Sequence, residues 1–152
     1  MDYVTYIRNM VGHSKIFLVA AGMVIHNDKG EILLQQRRDC GLWGLSGGIC
    51  ELDESVEETA HRELMEETGL TAEIEYLLGV YSKGSAKLGN GDELQCVTTI
   101  FVSHITGGTP SESNEETVSL GWFSKENLPK IFSSKHQTMI DDYFSGAKGV
   151  WR

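Results

Sequence analysis

The chain has 152 residues, 40% of them apolar and 9% aromatic, which suits one folded domain with a single core over residues 1–152. No apolar run approaches the ~20 residues needed to span a bilayer, and the apolar stretch 16–25 is too short and too far along for a signal peptide, so a cytoplasmic protein with no membrane partner is expected. The formal charge of -9 with no basic stripe makes nucleic acid a poor partner, and any phosphate this chain handles must be met through recruited cations.

Residues 2–11 read as a short helix within an N-terminal arm over 1–13, whose apolar side chains make a homodimer an option. Residues 15–26 form a long apolar run, the pattern of a central strand covered on both faces. Asn27-Asp28-Lys29-Gly30 is a turn, and 31–36 is expected as the hairpin partner of that strand. Residues 41–48 are expected as a Gly-rich loop holding Trp43. A helix follows with clear punctuation: Ser55 and Glu58 make a capping box, and Gly69 supplies a left-handed stop. Strands are expected over 73–82 and 94–105, flanking a turn-rich segment 82–92. A polar loop over 106–116, a short strand over 117–123, a helical turn closed by Pro129 and a last helix over 135–144 complete the order. Interleaved strands and helices imply a layered α/β domain with a mixed sheet.

Cys40, Cys50 and Cys96 show no paired spacing, so neither a disulfide framework nor a zinc site is expected. His104 and His136 lack partners at ligand spacing and read as structural. Tyr81 and Phe101 read as sheet core or pocket wall.

The charge is concentrated. Residues 51–67 hold eight acids against one base, Arg62, a local -7 in seventeen residues. On a helix each residue advances about 100°. With Val56 at zero, Ala60 and Leu64 define an apolar stripe near 40° and 80°, and Glu67 and Glu63 fall at about 20° and 340°. A solvated acidic face explains Glu57 and Glu58. It does not explain two carboxylates one turn apart beside the buried stripe, where they repel and tend to take up protons. A divalent cation between them removes the conflict, and oxygen-only ligands favour magnesium or manganese.

Residues 48–70, GICELDESVEETAHRELMEETGL, resemble the signature of the Nudix hydrolase family, the MutT-like proteins. Gly48, Glu54, Arg62, Glu63, Leu64, Glu66, Glu67, Gly69 and Leu70 fill all nine specified places. The run EILLQQRRDCGLWGLSGG before it and the late Gly-Trp-Phe before Asn127-Leu128-Pro129 are similar to the same family, so the likeness covers about residues 14–130. Two places depart from it: Asp53 stands where many members have Gly, and Ser46 where many have Pro. The resemblance implies an α/β/α sandwich around a mixed β-sheet. It implies metal ligation by Glu63, Glu66, Glu67 and the carbonyl of Gly47. Glu54 would join the metal shell or help activate the nucleophile, and Arg62 would hold the glutamates. Arg37 would contact a substrate phosphate, and Glu116, ahead of Glu115, would supply a further carboxylate. Trp43 is a candidate to stack on a substrate base.

The activity so implied is metal-dependent hydrolysis of the diphosphate in a nucleoside diphosphate linked to another group, with a small nucleotide as partner and Mg2+ (or Mn2+) as cofactor. The rivals are a non-catalytic module that binds a nucleotide or ADP-ribose and a pyrophosphohydrolase of RNA 5' ends. The first expects lost box carboxylates, and none is lost; the acidic charge opposes the second.

Overall fold

A computed structural model describes residues 1–111 and 113–152. Strand β1 (Ile16–Ile25) lies between β4 (Ser46–Ile49), to which it is antiparallel, and β7 (Glu93–Gly108), to which it is parallel. Strand β5 (Leu70–Tyr81) is antiparallel to β7 and carries β9 (Val150–Trp151) in parallel, and β6 (Ala86–Lys87) folds back on β7. The sheet is therefore mixed.

Alternation along β1 feeds two cores. Ala21, Met23 and Ile25 pack under Ala60 and Leu64 of helix α2 (Val56–Thr68). Val24 joins Leu78, Ile100 and Val102 beneath Met139 and Ile140 of helix α3 (Ser134–Phe144). Helices thus cover both faces, and the expected α/β/α sandwich is present. The double cover of β1 holds only from Ala20 onwards: Phe17 is 67% exposed and Val19 47%. Helix α1 (Tyr3–Val11) buries none of its residues and is tied down by Arg8, whose guanidinium donates to the Gly12, Ser14 and Glu93 carbonyls.

The expected hairpin is corrected. After a lone bridge between His26 and Ile32, strand β2 (Ile32–Arg37) leaves β1 and pairs with β3 (Trp43–Gly44) and β8 (Thr117–Phe123) in a separate antiparallel sheet. The free edge of β1 is taken by β4 from Ala20 to Met23. Strand β2 instead wedges between the cores, with Leu33 in one and Ile32 and Leu34 in the other. The expected loop 41–48 is likewise strands β3 and β4. Strand β4 can approach β1 because Gly22 faces Gly47, and a Cβ on Gly22 would run into the Ser46 carbonyl. No helix among the described residues is long and apolar enough to cross a membrane.

Candidate active site

Helix α2 begins and ends as its sequence dictates. Ser55 Oγ accepts from the Glu58 N–H and Glu58 returns the bond to the Ser55 N–H, while Gly69 sits at φ 74°. With both ends fixed, the helix lays Glu67 on its buried side at 5% exposure. Glu63 lies beside it with 14% of its side chain exposed, and Glu66 turns outward at 58%. Glu67 and Glu63 thus lie beside the buried stripe, as their angles on the helix require.

Glu67 is gripped by neutral donors. Its Oε1 accepts from the Gly47 N–H at 2.9 Å and the Ser46 hydroxyl at 3.4 Å, and its Oε2 accepts from the Gln35 amide. No cation touches it among the described residues, and burial pushes its carboxyl up to about 8, with the charges of Glu63 and Glu116 adding to the rise. Burial also raises Glu63, against the pull of Arg62. The Glu63 carboxylate rests where a Cβ on Gly48 would stand, so a side chain there would push that carboxylate aside.

Arg62 organises the rest. Its Nε and Nη2 fork onto Glu54 at 2.6 and 3.0 Å, its Nη1 donates to Glu63 at 2.9 Å and Glu66 at 3.2 Å, and Nη2 also reaches the Ile49 carbonyl. Glu54 further accepts from the Thr59 hydroxyl and the Glu51 N–H. These donors hold the Glu54 carboxyl down at about 2, Arg62 foremost. Glu54 Oε2 accepts three of these bonds and Oε1 one, from Arg62 Nε.

Glu115 and Glu116 arrive from the loop after β7, and with Gln35, Arg37, Arg38, Asp39 and Glu67 they line a hollow of about 470 Å3. Sequence reasoning missed what holds that loop. Asn114 Nδ2 donates to the Glu67 carbonyl at 2.8 Å, while its Oδ1 accepts from the Glu116 and Thr117 N–H groups. Arg38 donates to the Asn114 and Thr117 carbonyls and the Ser113 hydroxyl. Gln35 was missed too. The bonds of Gln35 to Glu67, Asn114 to Glu67 and Arg38 to Thr117 join residues 32 to 79 places apart, and no local pattern signals them.

Two expectations are modified. Arg37 lines the hollow, but its guanidinium is already forked onto Asp39 at 3.1 and 2.7 Å and lies 4.2 Å from the centre of the Phe132 ring. The Trp43 ring meets Phe123 edge-on at 4.9 Å beside the α3 core and lines neither hollow, that of Glu115 and Glu116 or that of Gly47 and Gly48. His136 is structural, as expected. Its Nδ1 accepts from the Leu45 N–H, and burial pushes it down to about 3. Tyr81 is core, its hydroxyl donating to Asp142 at 2.8 Å.

Among the described residues no three side chains already converge at metal-ligand spacing, because Glu63 is drawn to Arg62 and Glu67 to Gln35. The donor set nonetheless fits a hard divalent cation. It is all oxygen, and its most buried carboxylate has only neutral partners beside two further acids.

The family model of the NUDIX domain matches residues 16–143. The chain belongs to the Nudix family. A Bacillus subtilis (strain 168) protein provisionally named an 8-oxo-dGTP diphosphatase is 33% identical over 135 residues, 89% of this chain and 85% of the relative. An ADP-ribose pyrophosphatase of Methanocaldococcus jannaschii is 30% identical over 133 residues, 86% of this chain and 75% of the relative. The crystal structure of a MutT NUDIX hydrolase from Burkholderia pseudomallei superposes with a TM-score of 0.71 at 30% identity, covering 84% of this chain and 98% of that one. The chain is thus a Nudix hydrolase, and its α/β/α layering is the Nudix fold.

Proposed function

We propose that this Nudix hydrolase cuts the diphosphate of a nucleoside diphosphate linked to a second group, with magnesium or manganese held by Glu63, Glu67, Glu66 and the Gly47 carbonyl. The observation that carries the reading is Glu67, a carboxylate at 5% exposure with neutral partners only, beside Glu63 and across from Glu116. Divalent cations, when bound, neutralise the diphosphate and make a water acidic enough to attack phosphorus.

The chain's own residues do the rest. Arg62 and Glu54 brace one another, so Arg62 presents Glu63 and Glu66 from a fixed position. Glu54 braces Arg62 and, with Oε1 accepting from Arg62 Nε alone, keeps a lone pair there that would join the metal shell through water. Glu116 has no salt-bridge partner among the described residues and is the better carboxylate to take the proton of the attacking water. The attack forms one P–O bond and breaks the bridging one, and two phosphate-bearing products leave. On this reading Arg37, which lines the hollow and forks onto Asp39, exchanges Asp39 for a substrate phosphate.

The relatives support two substrate groups for the first assays, ADP-ribose and oxidised nucleoside triphosphates; nucleotide sugars and dinucleoside polyphosphates complete the panel. Release of phosphate-bearing products in magnesium, abolished by chelator, is the expected result. Glu67→Gln should lower kcat at least about 100-fold with the fold intact. A variant turning over normally in magnesium would remove Glu67 from this role.

A further inference from the structure

A second hollow, of about 760 Å3, is lined by Gly47 and Gly48 and lies between the sheet and the first turn of α3. Its lining is out of character for the chain. Among the described residues it includes four of the 13 Lys and Arg, namely Arg37, Lys83, Lys135 and Arg152, and none of the 22 Asp and Glu. Two of these cations are already matched, Arg37 by Asp39 and Arg152 by Asp142 at 2.7 Å each. The other two have no carboxylate within 4.0 Å among the described residues.

Lys135 is the more telling of the two. It is half-buried, its ammonium donates to the Cys96 carbonyl at 2.9 Å, and desolvation lowers its pKa. Holding an ammonium against a hollow wall without a counter-charge is costly unless an anion joins it. Lys83 approaches the same hollow from the exposed segment after β5, together with Gly84, Ser85 and Ala86. A substrate whose diphosphate lies at Gly47 and Gly48 can lodge the rest of itself in this hollow, whose described lining includes neither Glu63 nor Glu67.

We propose that the hollow receives an oxyanion that the substrate carries outside its scissile diphosphate, a further phosphate or a sugar carboxylate, with Lys135 as the main contact and Lys83 as the second. The inference rests on the hydrolase reading in placing the substrate along Gly47 and Gly48. It divides the candidate substrates by charge, favouring those with an acidic second group over those with a neutral sugar.

The test is made on the full chain in chelator, without turnover, so it succeeds or fails separately from the hydrolysis assays. Backbone amide shifts are followed by NMR during titration with inorganic phosphate in one arm and glucuronate in the other. Saturable shifts confined to residues 83–86 and 133–136 are expected in at least one arm, and the arm that responds names the source of the oxyanion. Lys135→Met should weaken that response roughly tenfold, the loss of one charge-assisted contact, and Lys135→Arg should restore it. No saturable shift at these amides in either arm, or the same affinity in Lys135→Met, overturns the proposal.

Discussion

Asp53 is the one non-glycine residue at positive φ among the described residues, at 68°. It sits in the turn closed by the Glu54 N–H on the Glu51 carbonyl at 3.2 Å, and that turn delivers Glu54 to Arg62. Left-handed backbone explains why glycine is common at this place in the family, and aspartate tolerates it better than most side chains. Asp53→Gly gains relief of strain but loses about 0.5–1 kcal/mol to the greater freedom of the unfolded chain, so its stability should stay within about 0.5 kcal/mol of the parent. Asp53→Val, branched at Cβ, should cost about 1–2 kcal/mol in urea unfolding and lower kcat through a displaced Glu54. A valine variant as stable as the parent would mean the turn adopts another conformation.

The second departure from the family pattern has a use as well. Ser46 stands where proline is common, and its hydroxyl reaches Glu67; proline has no donor to offer there. At this scale the residues on α2 were legible, because helical periodicity alone places Glu67 beside the buried stripe and leaves Glu57 and Glu58 to solvent. Gln35 and Ser46 were not, since their partner lies 32 and 21 residues away.

Among the elements, those with both ends punctuated were read well. Helix α2 lies where its capping residues put it, and strand β8 spans the expected 117–123. Strand β2 was read as a strand but given the wrong neighbour, because partner choice depends on which edges of β1 are already filled. Strand β9 was not foreseen, its two residues pairing with β5 far back in the chain while Val150 packs against the α3 core.

The loop after β7 is the element on which the site most depends. Asn114 joins it to the last turn of α2, satisfying the Glu67 carbonyl and two loop N–H groups. Asn114→Ala removes all three bonds, so stability should fall by about 1–2 kcal/mol. The same change frees Glu116, and kcat should fall about tenfold with KM little altered, since the loop would position a carboxylate rather than bind substrate. Equal rises in KM and losses in kcat would assign the loop to substrate binding instead. Asn114→Asp keeps the acceptor and loses the donor to Glu67, and should fall between the two.

At the scale of the whole molecule, a chain of charge -9 keeps seven of those charges in residues 51–67, and α2 carries most of them. Arg62 offsets part of the repulsion, but it is one cation shared by Glu54, Glu63 and Glu66, and it does not reach Glu67. The folded state therefore holds a concentration of negative charge that the unfolded chain disperses. A divalent cation that binds only the folded site should stabilise it by mass action, by about 2.7 kcal/mol at a hundred times its Kd. For a chain of this length that is a rise in Tm of about 5–10 °C. Simple screening acts on the same charges, so the comparison must be with sodium chloride at equal ionic strength, where exposed acids such as Glu57 and Glu58 respond but a buried pair responds little. Magnesium or manganese should raise Tm well beyond that control, and Glu67→Gln should lose most of the difference. Equal shifts in the two salts would mean that the cations act on the surface of α2 at large, and that the buried glutamates do not hold them.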